Sequence, residues 1–194
     1  MSRTPLLKPE WRYVSTSVME RMTAEDWRTL DAQRAIYRRA LQADQVLRML
    51  RAQEHEPSFG YPINNYRHCL QSATLAYRDG QDEETVVVAL LHDLGFDVCP
   101  ERHGAFAAAL LSPYVSERHV WMLEHHQVFQ DHHVREHYDA ALDREARNRW
   151  RGHPHFDWTA AFVARYDQAA MDEEYDILPL EHFEPMVRRV FARP

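Results

Sequence analysis

Four histidines and two aspartates, met in the order His68, His92, Asp93, His103, His126 and Asp167, are the residues whose types and spacing could do chemistry in this chain. The second and third are adjacent, within the segment VVVALLHDLG. An imidazole can bind one metal ion while the carboxylate beside it bridges to another. Four imidazoles with two carboxylates suffice for two metals with coordination positions left open for substrate. Neighbouring side chains on a helix project about 100° apart, so His92 and Asp93 would serve one dinuclear centre instead of chelating one ion in parallel. Asp93, as the bridge, is the candidate catalytic carboxylate. The pair His125-His126 leaves a choice open, because neighbours on one helix cannot both aim at the same site.

The elements that must position these residues read as helices. Thr23 to Asp26 has the pattern of a helix start, and an apolar stripe from Trp27 through Leu50 continues it to about Gln53. The stretch EHEPSFGYPINN reads as a loop, followed by a helix that carries His68 and ends at Gly80. Asp82 is placed to cap the next helix, with Glu83 and Glu84 at its positive end. VVVALL could be a buried strand, but the capped acidic start, Ala89 and the leucines favour a buried helix. Further helices are expected over about 103–112, 116–128 and 157–171, the last beginning at Asp157 and holding Asp167. Residues 129–155 read as irregular with a short helix at DREARNRW, and the tail ends in a final short helix. The small residues Ala107, Ala108 and Ala109 would let their helix approach a neighbour closely. Spreading inward ligands over several helices is how a helical bundle builds a metal core.

Composition narrows the function classes. At 194 residues, 45% hydrophobic and 27% charged, the chain reads as one globular domain (23–194) preceded by an arm (1–22). A net charge of -7, with Lys8 the only lysine, speaks against a nucleic-acid partner. Two cysteines without CxxC spacing fit a reducing compartment, and no apolar run is long enough for a bilayer, so a cytoplasmic protein without a membrane partner is expected. Of the other histidines, His55, His119, His153, His155 and His182 lie in polar or loop context and read as ordinary, while His132, His133 and His137 form a cluster that could back the metal ligands or hold a surface zinc, a solvated surface being the favoured reading in its charged surroundings.

The arrangement resembles the HD-domain superfamily of metal-dependent helical enzymes, named for a doublet seen here as His92-Asp93. The longer ligand set is most similar to its oxygenase branch, which includes myo-inositol oxygenase and the phosphonate-cleaving oxygenases. The similarity spans roughly residues 58–172, through GYPINNYRHCLQSA, ALLHDLG and ARYDQAAMD. It implies an all-α fold, an HD-domain helical bundle with a dinuclear metal site in its core. It further implies two Fe ions as a mixed-valent Fe(II)/Fe(III) pair, although His/Asp sites also accept Mn, Co, Ni or Zn. By the resemblance, His68, His92, Asp93 and Asp167 hold one iron, and Asp93 bridges to a second held by His103 and His126. The spacing from His103 and the trailing VFQ select His126 over His125 in that match.

The chain departs from the phosphonate branch around the substrate. Phe96 stands where that branch has a histidine, Gln130 where it has a lysine, Tyr61 where it has an acidic residue and Ser58 where some members have a tyrosine. Tyr61, Phe96 and Gln130 are therefore the candidate substrate-binding residues, and Phe59, Tyr66 and Phe129 could join Tyr61 in an aromatic wall suited to an organic cation or an apolar group. The resemblance implies an oxygenase whose partners are dioxygen and a small hydroxylated substrate, acting by hydrogen abstraction from carbon and oxidative bond cleavage. The alternative is a metal-dependent phosphohydrolase acting on a phosphoester or nucleotide, with Arg67, Arg102, Arg147 and Arg151 to meet phosphate. A degenerate, non-enzymatic binding module is a third reading.

Overall fold

The computed structural model describes residues 11–139 and 141–193, without the side chains of residues 39 and 40. Pro5, Lys8 and Pro9 of the expected N-terminal arm lie outside the described residues. The described chain is all-helical, and VVVALL is helix. Two units are resolved by their internal contacts, one ending at Ala43 and the other running from Asp44.

In the first unit the extended segment after Trp11 is pinned to helix α1 (Ala24–Ala52). The Arg12 amide donates to Gln33 Oε1 at 2.6 Å, and Gln33 Nε2 donates back to the Arg12 carbonyl at 2.9 Å. The helix opens with a reciprocal cap: the Asp26 amide donates to Thr23 Oγ1 and the Thr23 amide to Asp26 Oδ2.

The second unit holds the remaining helices. These are α2 (Asn65–Arg78), α3 (Glu83–Leu91), α4 (His103–Leu111), α5 (Glu117–Asp131), α6 (Phe156–Phe162) and α7 (Leu180–Phe191). Helix α3 is its centre. Every residue from Thr85 to Leu91 is buried, with α2 packed on one side and α7 on another, while α4 pairs with α5. A helix apolar all round can be stable only inside a core, and this one is started by Asp82, whose carboxylate accepts from the Thr85 amide at 2.7 Å. Asn64 does the same for α2, accepting from the Arg67 amide at 3.0 Å. Its Nδ2 donates to the Gln53 and Glu54 carbonyls, which ties the end of α1 to the start of α2.

The close approach of α4 and α5 is set by Gly104 more than by the alanines. A Cβ there would lie 2.3 Å from the Leu123 carbonyl oxygen, whereas Ala109 faces solvent. Two other expectations are refined. The His92-Asp93 doublet sits at the exit of α3: the helix ends at Leu91, His92 caps it, and Asp93 opens a turn in which the Phe96 amide donates to the Asp93 carbonyl. The expected helix over 157–171 is α6 followed by one π-helical turn, Val163–Asp167, closed by the Gln168 amide on the Val163 carbonyl at 3.0 Å. The extra residue in that turn changes the angular register of Asp167, a device common at functional sites.

Candidate metal centre

The six sequence-selected residues meet in one buried nest in the second unit. His68 comes from α2, His92 and Asp93 from the end of α3, His103 from the first turn of α4, His126 from α5 and Asp167 from the π turn. Three sets of their ligand atoms lie within 4.8 Å of one another: His68, His92 and Asp93; His92, His126 and Asp167; and Asp93, His103 and His126. Each set could hold a metal ion. Asp93 is central, since Oδ1 lies 3.1 Å from His126 Nε2 and 3.2 Å from His103 Nε2, while Oδ2 faces His68 Nε2 at 3.6 Å. Asp167 Oδ1 lies 3.6 Å from both His68 Nε2 and His92 Nε2.

The imidazoles are oriented in one way. Nδ1 of His68, His92, His103 and His126 donates to the carbonyls of Ala170, Ala89, Pro100 and Leu123 respectively. A carbonyl oxygen can only accept, so each Nδ1 carries a proton, and a ring without a second proton presents a lone pair at Nε2. These Nε2 atoms face one another in two pairs, His68 with His92 at 3.2 Å and His103 with His126 at 3.0 Å. Two acceptors cannot bond each other; a cation shared between them, or an added proton, removes the repulsion. Asp167 Oδ2 is likewise buried without any partner. The donor set therefore fits metal ions.

The electrostatics agree. Burial would raise the Asp93 carboxyl, but His92, His126 and His68 overcome it and hold the group well below its ordinary value. Burial would lower His92, yet Asp93 and Asp167 push it up to about 9. The nest demands positive charge.

Of the neighbouring pair, His126 faces the nest and His125 does not: His125 stacks on Trp121 with ring centres 4.3 Å apart. A cavity of about 320 Å³ opens beside His68, Asp93 and His103. Tyr61, Phe96 and Gln130 all border it, as do Phe59 and Ser58. Gln130 also donates to Asp167 Oδ1 at 3.0 Å. Phe96 sits edge-on to His103 and to Phe59. Tyr66 and Phe129 do not border the cavity; Phe129 is a core residue packed on Phe156 and Trp121. Nor do Arg67, Arg102, Arg147 or Arg151 border it. Arg67 is spent on the carbonyls of Glu173 and Tyr175, and Arg147 and Arg151 lie over Phe129 and Phe156.

Sequence reasoning missed several neighbours. Asn65 donates to the Asp93 carbonyl at 2.9 Å and Gln53 Nε2 to the Leu94 carbonyl at 2.8 Å, so both brace the turn that carries Asp93. Two successive asparagines ahead of a helix were the available signal. Asp131 also borders the cavity and His119 is buried despite its polar sequence context; His133 borders the cavity too, in line with the reading that set its cluster beside the metal ligands and not with the favoured solvated surface.

No protein-family model matches the chain. Over 40 residues it is 50% identical to a [1-hydroxy-2-(trimethylamino)ethyl]phosphonate dioxygenase (glycine-betaine-forming) of Leisingera caerulea. The match covers 21% of this chain and 20% of that relative. Among the described residues, no helix is long and apolar enough to cross a membrane.

Proposed function

We propose that this chain is a metal-dependent oxygenase of the HD type for a small hydroxylated substrate and dioxygen, its catalytic domain running over 23–194 and its buried histidines and aspartates able to hold two iron ions. The observation that carries the reading is the nest itself: two pairs of opposed Nε2 atoms with the Asp93 carboxylate between them. His68, His92, Asp93 and Asp167 would hold one ion, and Asp93, His103 and His126 the other. The bound ions would supply the redox and Lewis-acid chemistry of hydrogen abstraction and oxidative cleavage. The partial likeness to a dioxygenase supports the oxygenase choice. A cytoplasmic location belongs to the same reading.

The protein's own groups do the rest. Asp93 turns one oxygen to each half of the site, and the four Nδ1–carbonyl bonds hold the rings in place for it. Gln130 steadies Asp167 by donating to Oδ1, the oxygen that faces His68 and His92, while Oδ2 is buried without a partner. Phe96 shields His103 on the cavity side, Tyr61 stands at the rim, and these three residues contact the substrate. The hydrolase alternative draws less support, because no arginine or lysine among the described residues borders the cavity to meet a phosphate.

The test is elemental analysis of anaerobically prepared protein, followed by a screen of hydroxylated small molecules for oxygen uptake and of phosphoesters for phosphate release. Two metals per chain with substrate-dependent oxygen uptake are expected. At most one tightly held metal after iron reconstitution would refute the dinuclear site. Metal-dependent phosphate release without oxygen uptake would replace the oxygenase by the hydrolase.

A further inference from the structure

The cavity beside the nest carries an asymmetry of charge. Apart from His68, Asp93 and His103, its bordering ionisable side chains are Tyr61, Asp131 and His133. Burial lowers His133 below its ordinary value, with His132 and Arg147 adding to the effect and Asp167 opposing it. Among the described residues, Asp131 is the one carboxylate on the wall outside the nest, and no arginine or lysine borders it. It is the last residue of α5, where the helix dipole adds further negative potential, and the last turn contains no basic residue. Asp131 makes no ion pair among the described residues, and burial pushes its carboxyl above the ordinary value, with His137 opposing this only in part. A carboxylate half-buried without a cation is under-compensated.

Phe59, Tyr61, Ile63, Phe96, Val134 and Met171 make up the wall's aromatic and apolar part, and the other bordering side chains are uncharged amides and a hydroxyl. Phe59 reaches the rim from a left-handed backbone conformation, φ 54°, and meets Phe96 edge-on with ring centres 6.1 Å apart. Aromatic faces and a carboxylate in a cavity without a fixed cation suit a poorly hydrated organic cation.

We propose that this cavity takes a small hydroxylated organic cation bearing no anionic group, with Asp131 as its counter-ion and the rings of Phe59, Tyr61 and Phe96 as its walls. The hydroxyl end points toward the His103 and Asp93 side; that orientation, unlike the charge preference, rests on the oxygenase reading. Asp131 acts as a specificity residue and touches the ammonium, not the reacting carbon.

The experiment compares three probes by calorimetric titration of the metal-loaded protein under anaerobic conditions. They are choline, its uncharged isostere 3,3-dimethylbutan-1-ol, and 2-hydroxyethylphosphonate. Choline is expected to bind about tenfold tighter than the isostere, the scale of one cation–π or ion-pair contribution, and the phosphonate weakest. Asp131→Asn should erase the preference for choline and leave affinity for the isostere unchanged, which also shows that the variant is folded; Asp131→Glu should restore part of it. Equal binding of choline and the isostere, tighter binding of the phosphonate, no binding of any probe, or an undiminished choline preference in Asp131→Asn would each overturn the proposal. Because the titration reads binding and not turnover, a choline preference would leave the cation site in place even where the separate oxygen-uptake screen refutes the oxygenase reading.

Discussion

His119 and His126 lie two turns apart on one face of α5, and both are buried, yet their surroundings differ in kind. At His119 both ring nitrogens have partners on neighbouring segments. Nε2 meets Thr85 Oγ1 at 3.0 Å, and Nδ1 meets Glu84 Oε1 at 2.7 Å and Ser116 Oγ at 2.8 Å. The Ser116 amide also donates to Glu84, and Arg193 pairs with the same carboxylate. At His126 only Nδ1 is bonded to a group that must accept; Nε2 faces another imidazole nitrogen and a carboxylate. A buried histidine with both nitrogens satisfied is a structural pin. One whose second nitrogen is turned toward another imidazole and a carboxylate is placed to serve a metal ion.

The comparison breaks most sharply at Asp93. If the site is dinuclear as proposed, Asp93→Ala should take metal content from two per chain to less than one, a larger loss than any single histidine change, because it removes the shared carboxylate and leaves two cations facing each other. Elemental analysis after iron reconstitution checks it, and full occupancy would remove Asp93 from its bridging role. Next in size, His126→Ala should abolish one metal, while His125→Ala, which removes only a stacked ring at Trp121, should leave both. The reverse result would mean that the face of α5 is misassigned by about 100°.

His119→Ala should sharpen the contrast from the other side. It should leave metal content unchanged and cost about 1–3 kcal/mol of stability, since Thr85 and Glu84 lose their buried partner. Denaturant unfolding of the metal-loaded variant measures this, and loss of metal without loss of stability would contradict the pin assignment. The smallest effect is on pH dependence. Burial raises the Glu84 carboxyl, but the Ser116 amide and hydroxyl, His119 and Arg193 together bring it from the ordinary 4.5 down to about 2. A carboxyl with a depressed folded value stabilises the fold fully above the unfolded value, and that stability is lost as pH falls. Wild type should therefore lose stability between pH 4.5 and about 2 more steeply than Glu84→Gln, followed by urea midpoints across that range.

Much of this molecule was legible in the chain because the signals are local. Thr23, Asp82 and the uniformly apolar VVVALL are readable from capping and periodicity, and the six candidate ligands from residue type, spacing and family resemblance. What lay beyond reach depends on atoms distant in sequence. His119 and His126 sit in the same helix with similar neighbours, and only the packing of Thr85 and Glu84 against one and of Asp93 and His103 against the other separates them. The π turn that carries Asp167 looks like plain helix in sequence, since an added residue per turn leaves no compositional mark. Phe129 and Phe59 are both aromatic, but α5 buries the first in the core and a left-handed turn delivers the second to the cavity. The amino-acid order alone determined the helices and the donor set. The tertiary structure decided which ring nitrogens meet and which charge lines the pocket, because both are properties of side chains brought together across long stretches of chain.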